Sequence, residues 1–256
     1  MNQSDSGARV ALVTGGAMGI GAAISRQLAA KGYTVLVSDI NLEAATKTAA
    51  ALVEAGHKAA PLQMDVGNPE SIAKAFAAVE KDYGRCDVLV NNAGIAKTYP
   101  FLDFPIDNWL QTMNVNVTGV LVAGQLAARL MLKNKWGRIV NISSISGIRA
   151  GAGRTAYGTS KSAVIGLTRQ MAIELAEHGI TVNSVAPGPV DTPLTQAVHS
   201  EATRQSFYRL VPMRRYGSTD EIAAAVCFLA SDESSYITGH VIPVDGGFVA
   251  GGVLDI

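Results

Sequence analysis

Cysteine is scarce: the 256 residues hold two, Cys86 and Cys227. They sit in unrelated apolar contexts, outside any C-x-x-C or histidine cluster. That argues against a disulfide framework and against a thiolate metal site, and it fits buried free thiols in a reducing compartment. Neither sign of charge is in excess, with 21 Lys+Arg against 21 Asp+Glu. Nothing therefore suggests a surface for nucleic acid or for a membrane. The N-terminus, MNQSDSGAR, lacks a charged segment followed by an apolar core, so no signal peptide is expected. No uninterrupted apolar stretch reaches membrane-spanning length. No Pro/Gly/Ser linker, repeat or low-complexity tract divides the chain, and residues 1–256 are expected to form one domain. No metal-ligand constellation is visible, and no catalytic metal is expected. The expectation is a soluble, cytoplasmic protein.

What is present is alternation. Apolar, β-branched runs at Val10–Val13, Thr34–Ser38, Ala59–Met64, Val88–Val90, Arg138–Ile142, Thr181–Val185 and His240–Val244 read as strands. Helical patterns fall between them, near 20–31, 42–55, 69–82, 106–134, 156–178 and 219–230. Near-continuous apolar strands alternating with helices imply an α/β fold, a parallel sheet of about seven strands covered on both faces. Right-handed crossovers make it a doubly wound, Rossmann-type sheet. Segment 190–217 follows a strand without a strand pattern of its own. Ligands of open α/β sheets bind beyond the carboxyl ends of strands, so this excursion is a candidate substrate lid.

The first strand runs into Thr14-Gly15-Gly16-Ala17-Met18-Gly19-Ile20-Gly21 and then a helix. Glycines here allow a tight turn, close backbone approach to a pyrophosphate and close helix–sheet packing. The free N–H groups of the helix start suit the anion. Gly15, Met18, Gly19, Ile20 and Gly21 are therefore candidate cofactor contacts. Asp39 closes the second strand. Its carboxylate can accept hydrogen bonds from the adenosine ribose hydroxyls and would repel a 2′-phosphate, and no Lys or Arg occurs at 16–18 or 38–41 to offset this. NAD is expected over NADP, since a tenfold preference needs only about 1.4 kcal/mol. A helix-capping aspartate before Asn41 is the competing reading. Asp65, with Val66 after it, ends the third strand and could bind the adenine amino group, or simply form a turn before Gly67-Asn68-Pro69. Asn92, Ala93 and Gly94 follow the fourth strand and suit close backbone approach.

Tyr157 and Lys161 are four apart on a helix, hence neighbours on one face. Ser144 lies thirteen residues before Tyr157. An alcohol that gives hydride to a nicotinamide must also lose its hydroxyl proton, and a tyrosinate can accept it. Moving a phenol from about 10 to about 7 takes roughly 4 kcal/mol. A unit charge about 4 Å away, at an effective dielectric near 20, supplies about that much. Lys161 is the expected charge. Ser144 would hold the substrate oxygen for Tyr157.

T-G-x-x-x-G-x-G, N-N-A-G, the serine ending the Gly137–Ser144 strand, Y-x-x-x-K and Pro187-Gly188 occur in one order along the chain. In this the sequence resembles the short-chain dehydrogenase/reductases over essentially its full length. The resemblance implies a catalytic tetrad of Asn116, Ser144, Tyr157 and Lys161, with Asn114 and Ser143 as competitors. Asn116 occupies the asparagine of the V-N-x-x-G pattern at Val115–Gly119. By resemblance, Tyr157 and Lys161 also contact the cofactor, Lys161 at the nicotinamide ribose, and Asn116 holds a water linking Lys161 to solvent. Pro187, Gly188, Val190 and Thr192 would bind the nicotinamide carboxamide. A homo-oligomer, most often a tetramer paired through the helices near 106–134 and 156–178, is implied too.

The expected substrate is a secondary alcohol or its ketone, with polyols, sugar-derived and hydroxy compounds favoured by the polar, basic cast of His199, Arg204, Tyr208, Arg209 and Arg214. Ser146 and Arg154 are expected near the pocket, although Arg154 also reads as a solvated arginine at a loop edge. The alternatives are a 3-oxoacyl thioester reductase, opposed by Asp39, and a non-catalytic NAD-binding sensor, opposed by the intact tetrad. The apolar tail 249–256 suggests burial against a neighbouring subunit.

Overall fold

All seven apolar runs become strands of one parallel sheet in the computed structural model, which describes residues 8–192, 195–196 and 199–252. The strands are β1 (Val10–Thr14), β2 (Thr34–Asp39), β3 (Ala59–Gln63), β4 (Val88–Asn91), β5 (Gly137–Ile142), β6 (Ile180–Pro187) and β7 (Val241–Val244). Their spatial order is β3-β2-β1-β4-β5-β6-β7, every neighbouring pair parallel. The chain runs outward one way from β1 to β3, then returns to pair β4 against β1. That reversal opens a crevice beyond the carboxyl ends of β1 and β4, where doubly wound sheets bind ligands.

The helices are α1 (Gly19–Ala30), α2 (Leu42–Glu54), α3 (Pro69–Tyr83), α4 (Ile106–Met113), α5 (Gly119–Leu132), α6 (Thr155–Leu175), α7 (Glu201–Leu210) and α8 (Thr219–Leu229). Two apolar layers cover the sheet. Ile24 and Leu28 of α1 meet Ile222 and Leu229 of α8 on one face. Ile72 and Phe76 of α3 meet Ala127 and Met131 of α5 on the other. β1, β4, β5 and β6 are buried along their whole length, which is why they read as mostly apolar runs rather than alternating ones, with buried polar side chains such as Asn141 and Ser184 hydrogen-bonded inside.

One sequence expectation needs correction. The pattern at 106–134 is not one α-helix: α4 and α5 are joined by a π-helical turn at Asn114–Thr118. This continuous helical stretch, Ile106–Leu132, is long and apolar enough on average to cross a membrane, although polar residues such as Asp107, Gln111 and Arg129 interrupt it. Half of it is buried inside the protein, and it buries the polar side chains of Asn108, Thr112 and Asn116, as a helix serving a protein core does.

At the opposite end of the sheet from the crevice, Asp87 is 1 % exposed. Its carboxylate accepts from the Val10 backbone N–H at 2.7 Å and from Arg85 at 2.7 and 2.8 Å. Removing it strands a buried N–H and a half-buried guanidinium. Asp87→Ala is expected to cost about 3 kcal/mol in urea unfolding, while leaving the cofactor affinity of the folded fraction unchanged. Cys86 and Cys227 are buried free thiols, and burial pushes both above the ordinary thiol range. Of the tail 249–256, residues 253–256 lie outside the described residues, as do residues 1–7 of the N-terminus.

Candidate active site

A cavity of about 1110 Å³ occupies the crevice. It exceeds the ~300–1,000 Å³ of most small-molecule pockets, leaving room for a dinucleotide and a substrate together. Its walls include the glycine turn (Gly15, Met18, Gly19, Ile20, Gly21), Asp39, Asp65 and Val66, and Asn92, Ala93 and Gly94. Ser144, Tyr157, Lys161, Pro187, Gly188, Val190 and Thr192 complete them. The fold thus gathers residues from six strand ends into one wall. Asn116 is the exception, wholly buried behind it.

The turn after β1 is held from two sides. Gly15 and Gly19 have φ of 60° and 55°, where other residues are strained. Asn92 donates from Nδ2 to the carbonyls of Thr14 and Gly15, at 2.9 and 3.0 Å. Thr14 Oγ1 accepts from the backbone N–H of Asn92 and Ala93, both at 3.0 Å.

Asp39 does not cap α2; Asn41 does, accepting from the Ala44 N–H at 3.1 Å. The Asp39 carboxylate instead accepts from the N–H groups of Ala17 and Asn41, at 3.4 and 3.1 Å. It is locked to the glycine turn at 8 % exposure on the cavity wall. Asp65 does form the turn that was its competing reading, accepting from Gly67 N–H at 2.8 Å, while still lining the cavity.

Ser143 and Ser144 both line the cavity and differ in their hydrogen-bond partners. Ser143 is committed to β6: it donates to the Val185 carbonyl at 3.1 Å and bonds Ser184 at 2.7 Å. Ser144, the next residue, faces the cavity near Tyr157, its Oγ accepting from the Ser146 N–H at 3.1 Å. Asn114 lines the cavity and bonds Gly67. Asn116 spends both amide hydrogens on the Ile95 carbonyl and Ser160 Oγ, each at 3.0 Å, and accepts from the Ile95 N–H at 2.9 Å. Its side chain thus clamps the loop after β4 to the Tyr157 helix, with no hydrogen left to donate to a water. The π-turn that carries it widens the helix at the point where this clamp is made.

Lys161 is 5 % exposed and donates to the Ile142 carbonyl at 2.7 Å. Burial pushes its ammonium down to about 8, so it is charged at neutral pH. Its Nζ lies 5.7 Å from the centre of the Tyr157 ring. Burial raises the Tyr157 phenol above its ordinary value, opposed by the Ser144 hydroxyl and then by the charge of Arg154. From sequence, Lys161, joined by oxidised nicotinamide, is expected to depress the phenol; in the protein by itself burial prevails, and the opposing charge is Arg154. That arginine is no solvated loop residue. It lines the cavity, with Cζ 5.6 Å from the Tyr157 ring centre.

The remaining hydrogens of Lys161 find no acceptor among the described residues, in a buried site that opens onto the cavity. A Cβ added at Gly94 would stand 3.2 Å from Asn116 Oδ1 and 3.5 Å from Lys161 Nζ, so the wall there is shaped to admit a group against the ammonium. An anion-ready glycine turn, a carboxylate at the end of β2 and a lysine with spare donors fit the phosphates, the adenosine ribose and the nicotinamide ribose of a dinucleotide.

Sequence reasoning missed part of the wall. Ile95–Tyr99, Gln111 and Val115 line the cavity, and so does Phe207 of α7. The only available signal was position, since the first group follows the carboxyl end of β4. The 190–217 excursion leaves and rejoins the body at one point, where Asp191 N–H bonds the Gly217 carbonyl and Gly217 N–H the Pro189 carbonyl, each at 2.9 Å. Residues 193–194 and 197–198 of it lie outside the described residues. Arg204 pairs with Asp191 and Arg215 with Glu221, so part of the basic cast expected of this segment is neutralised.

A family model described as enoyl-(acyl carrier protein) reductase matches residues 15–249. An uncharacterised oxidoreductase of Bacillus subtilis (strain 168) is 41 % identical over 94 % of this chain and 98 % of its own. A 3-oxoacyl-(acyl-carrier-protein) reductase of Aquifex aeolicus is 42 % identical over 93 % of this chain and 96 % of its own. Among solved structures, a gluconate 5-dehydrogenase from Burkholderia cenocepacia, in complex with NADP and tartrate, superposes with a TM-score of 0.92 at 35 % identity, covering 95 % of this chain and 96 % of that one.

Proposed function

This chain belongs to the short-chain dehydrogenase/reductase family, an oxidoreductase with a nicotinamide cofactor, and on that premise we propose that it oxidises a secondary alcohol to its ketone with NAD. The observation that carries the reading is the meeting of Ser144, Tyr157 and Lys161 at one end of a cavity whose other end is closed by Asp39.

The glycine turn and the start of α1 would hold the pyrophosphate, Asp39 the adenosine ribose and Lys161 the nicotinamide ribose. Val190 and Thr192 would hold the carboxamide. Held by these residues, the nicotinamide would supply the hydride acceptor for the carbinol carbon. Ser144 positions the alcohol oxygen by a hydrogen bond. Tyr157, as phenolate, takes the hydroxyl proton while the C–O bond becomes a carbonyl. Burial opposes that phenolate, so the charges around it set the working pH: Arg154 at 5.6 Å and Lys161 at 5.7 Å from the ring. Asn116 holds the Tyr157 helix in register through Ser160.

Asp39 supports NAD. A 2′-phosphate would meet a carboxylate held at the turn by two backbone N–H groups, and Asp39 and Asp65 are the acidic members of the cavity wall, both at this end. Asp39→Ser is expected to shift the ratio of kcat/KM for NAD over NADP by about 100-fold toward NADP, the size of one uncompensated like-charge contact. An unchanged ratio would defeat the assignment.

The relatives favour a second reading, reduction of a 3-oxoacyl thioester, which would share the same tetrad. Consumption of NADPH with such a thioester, and no NAD reduction with any alcohol, would select it. A reducing, cytoplasmic setting accords with the two free thiols. Assembly into a tetramer accords with apolar side chains left exposed on α4 to α6, such as Leu110 and Ile173 at 59 % and 78 %.

A further inference from the structure

The charges on the cavity wall are divided. Its two carboxylates, Asp39 and Asp65, sit at the adenosine end, whereas Lys97, Arg154 and Lys161 sit at the end where Tyr157 and Ser144 meet. Lys161 is engaged with Ile142 and the cofactor ribose, and Lys97 is exposed at the rim. Arg154 is different. It is half-buried, it makes no ion pair with a carboxylate among the described residues, and it stands over the ring of the proposed acid/base.

Its position is fixed from behind. Arg154 NH2 lies 3.5 Å from His199 Nε2, and His199 Nδ1 lies 2.9 Å from the Tyr216 hydroxyl. Phe207 of α7 stacks on the imidazole, with ring centres 5.4 Å apart and planes at 21°. Burial and the nearby charges of Arg154 and Arg204 hold His199 below its ordinary value, so at neutral pH it is an uncharged acceptor for the guanidinium. One edge of Arg154 is anchored to the lid segment, and its remaining donors face the cavity beside Tyr157.

We propose that Arg154 binds a carboxylate of the substrate, so that the alcohol oxidised at Tyr157 belongs to a hydroxy acid. This deepens the dehydrogenase reading and rests on it. A planar guanidinium fork matches a carboxylate with two parallel hydrogen bonds. The fork is preorganised, so little rotamer freedom is lost on binding. A single anchored guanidinium beside a neutral histidine offers one full charge, which suits a carboxylate better than a phosphate dianion.

The test compares an aldonic acid, the alditol of the same length and the phosphorylated alditol, each with NAD, in the wild type, Arg154→Gln and Arg154→Lys. A titration of malonate into the NAD-bound enzyme adds a readout that needs no turnover. In the wild type the aldonate is expected to be the best of the three. In R154Q the ratio of kcat/KM for aldonate over alditol should fall about 30-fold, the loss of a charge-assisted pair, with R154K recovering part of it. Malonate should bind at least tenfold more weakly to R154Q. A ratio that is unchanged, aldonate and alditol falling alike, a preference for the phosphorylated alditol, or equal malonate binding would each overturn the proposal. Absence of turnover on every alcohol would instead sink the dehydrogenase reading, and malonate binding would still decide the role of Arg154.

Discussion

Tyr157→Phe is expected to lower kcat by about 10³- to 10⁴-fold, the range that a positioned acid/base supplies, while NAD binding changes little. The substitution removes one oxygen and leaves the ring in place, between Lys161 and Arg154 at 5.7 and 5.6 Å. No protein hydrogen bond that secures the helix depends on that oxygen. Register is kept elsewhere, by Ser160, whose Oγ donates to the Tyr157 carbonyl at 2.7 Å and accepts from Asn116. A loss of turnover with intact cofactor affinity and intact unfolding midpoint therefore reports proton transfer alone. Retained turnover would show that the proton leaves by another route and would remove Tyr157 from the mechanism. Equal loss of cofactor affinity would show that the phenol positions rather than reacts.

Gly21→Ala is expected to weaken NAD binding at least 100-fold and to destabilise the fold by about 1–3 kcal/mol, as overpacking does. A Cβ at Gly21 would lie 2.0 Å from the Gly15 carbonyl oxygen, 2.8 Å from its carbon and 2.7 Å from Asn92 Nδ2. None of these atoms is the loose end of a flexible side chain. The Gly15 carbonyl is already tied to Asn92, which is tied in turn to Thr14. Relief of the clash must push the whole turn outward, away from the position its N–H groups need to reach a pyrophosphate. Fluorescence titration with NADH, read beside urea unfolding, separates the two effects. Wild-type affinity in this variant would mean that the turn does not bind the cofactor.

Much of this was legible in the linear chain because the periodicities are strong. Fully buried parallel strands are mostly apolar, and the seven runs end within two residues of the observed strands, as at Val10–Thr14 and Val88–Asn91. The glycine turn was legible because few residues can adopt its backbone. The π-turn was not. Its residues look helical, and the side chain at its centre, Asn116, bonds Ile95 and Ser160, partners 21 and 44 positions away. Choosing Ser144 over Ser143 by direct reading was impossible for a similar reason. Both residues line the cavity, and what separates them is that β6 occupies the Ser143 hydroxyl through Val185 and Ser184.

Arg154 marks the limit most clearly. In sequence it is an arginine before a helix, and such residues are usually wet. Only the packing of α7 and His199 against it, from 45 or more residues downstream, makes it a held cation over Tyr157. By itself, then, the sequence determined the doubly wound sheet through its local periodicity and the family through its ordered motifs, and it nominated the candidate tetrad and cofactor turn. The tertiary structure alone decided which serine hydroxyl is occupied by β6, that burial raises the phenol, and that Arg154 adds a charge beside it. Burial and field depend on groups that are distant in the chain and adjacent only once it has folded.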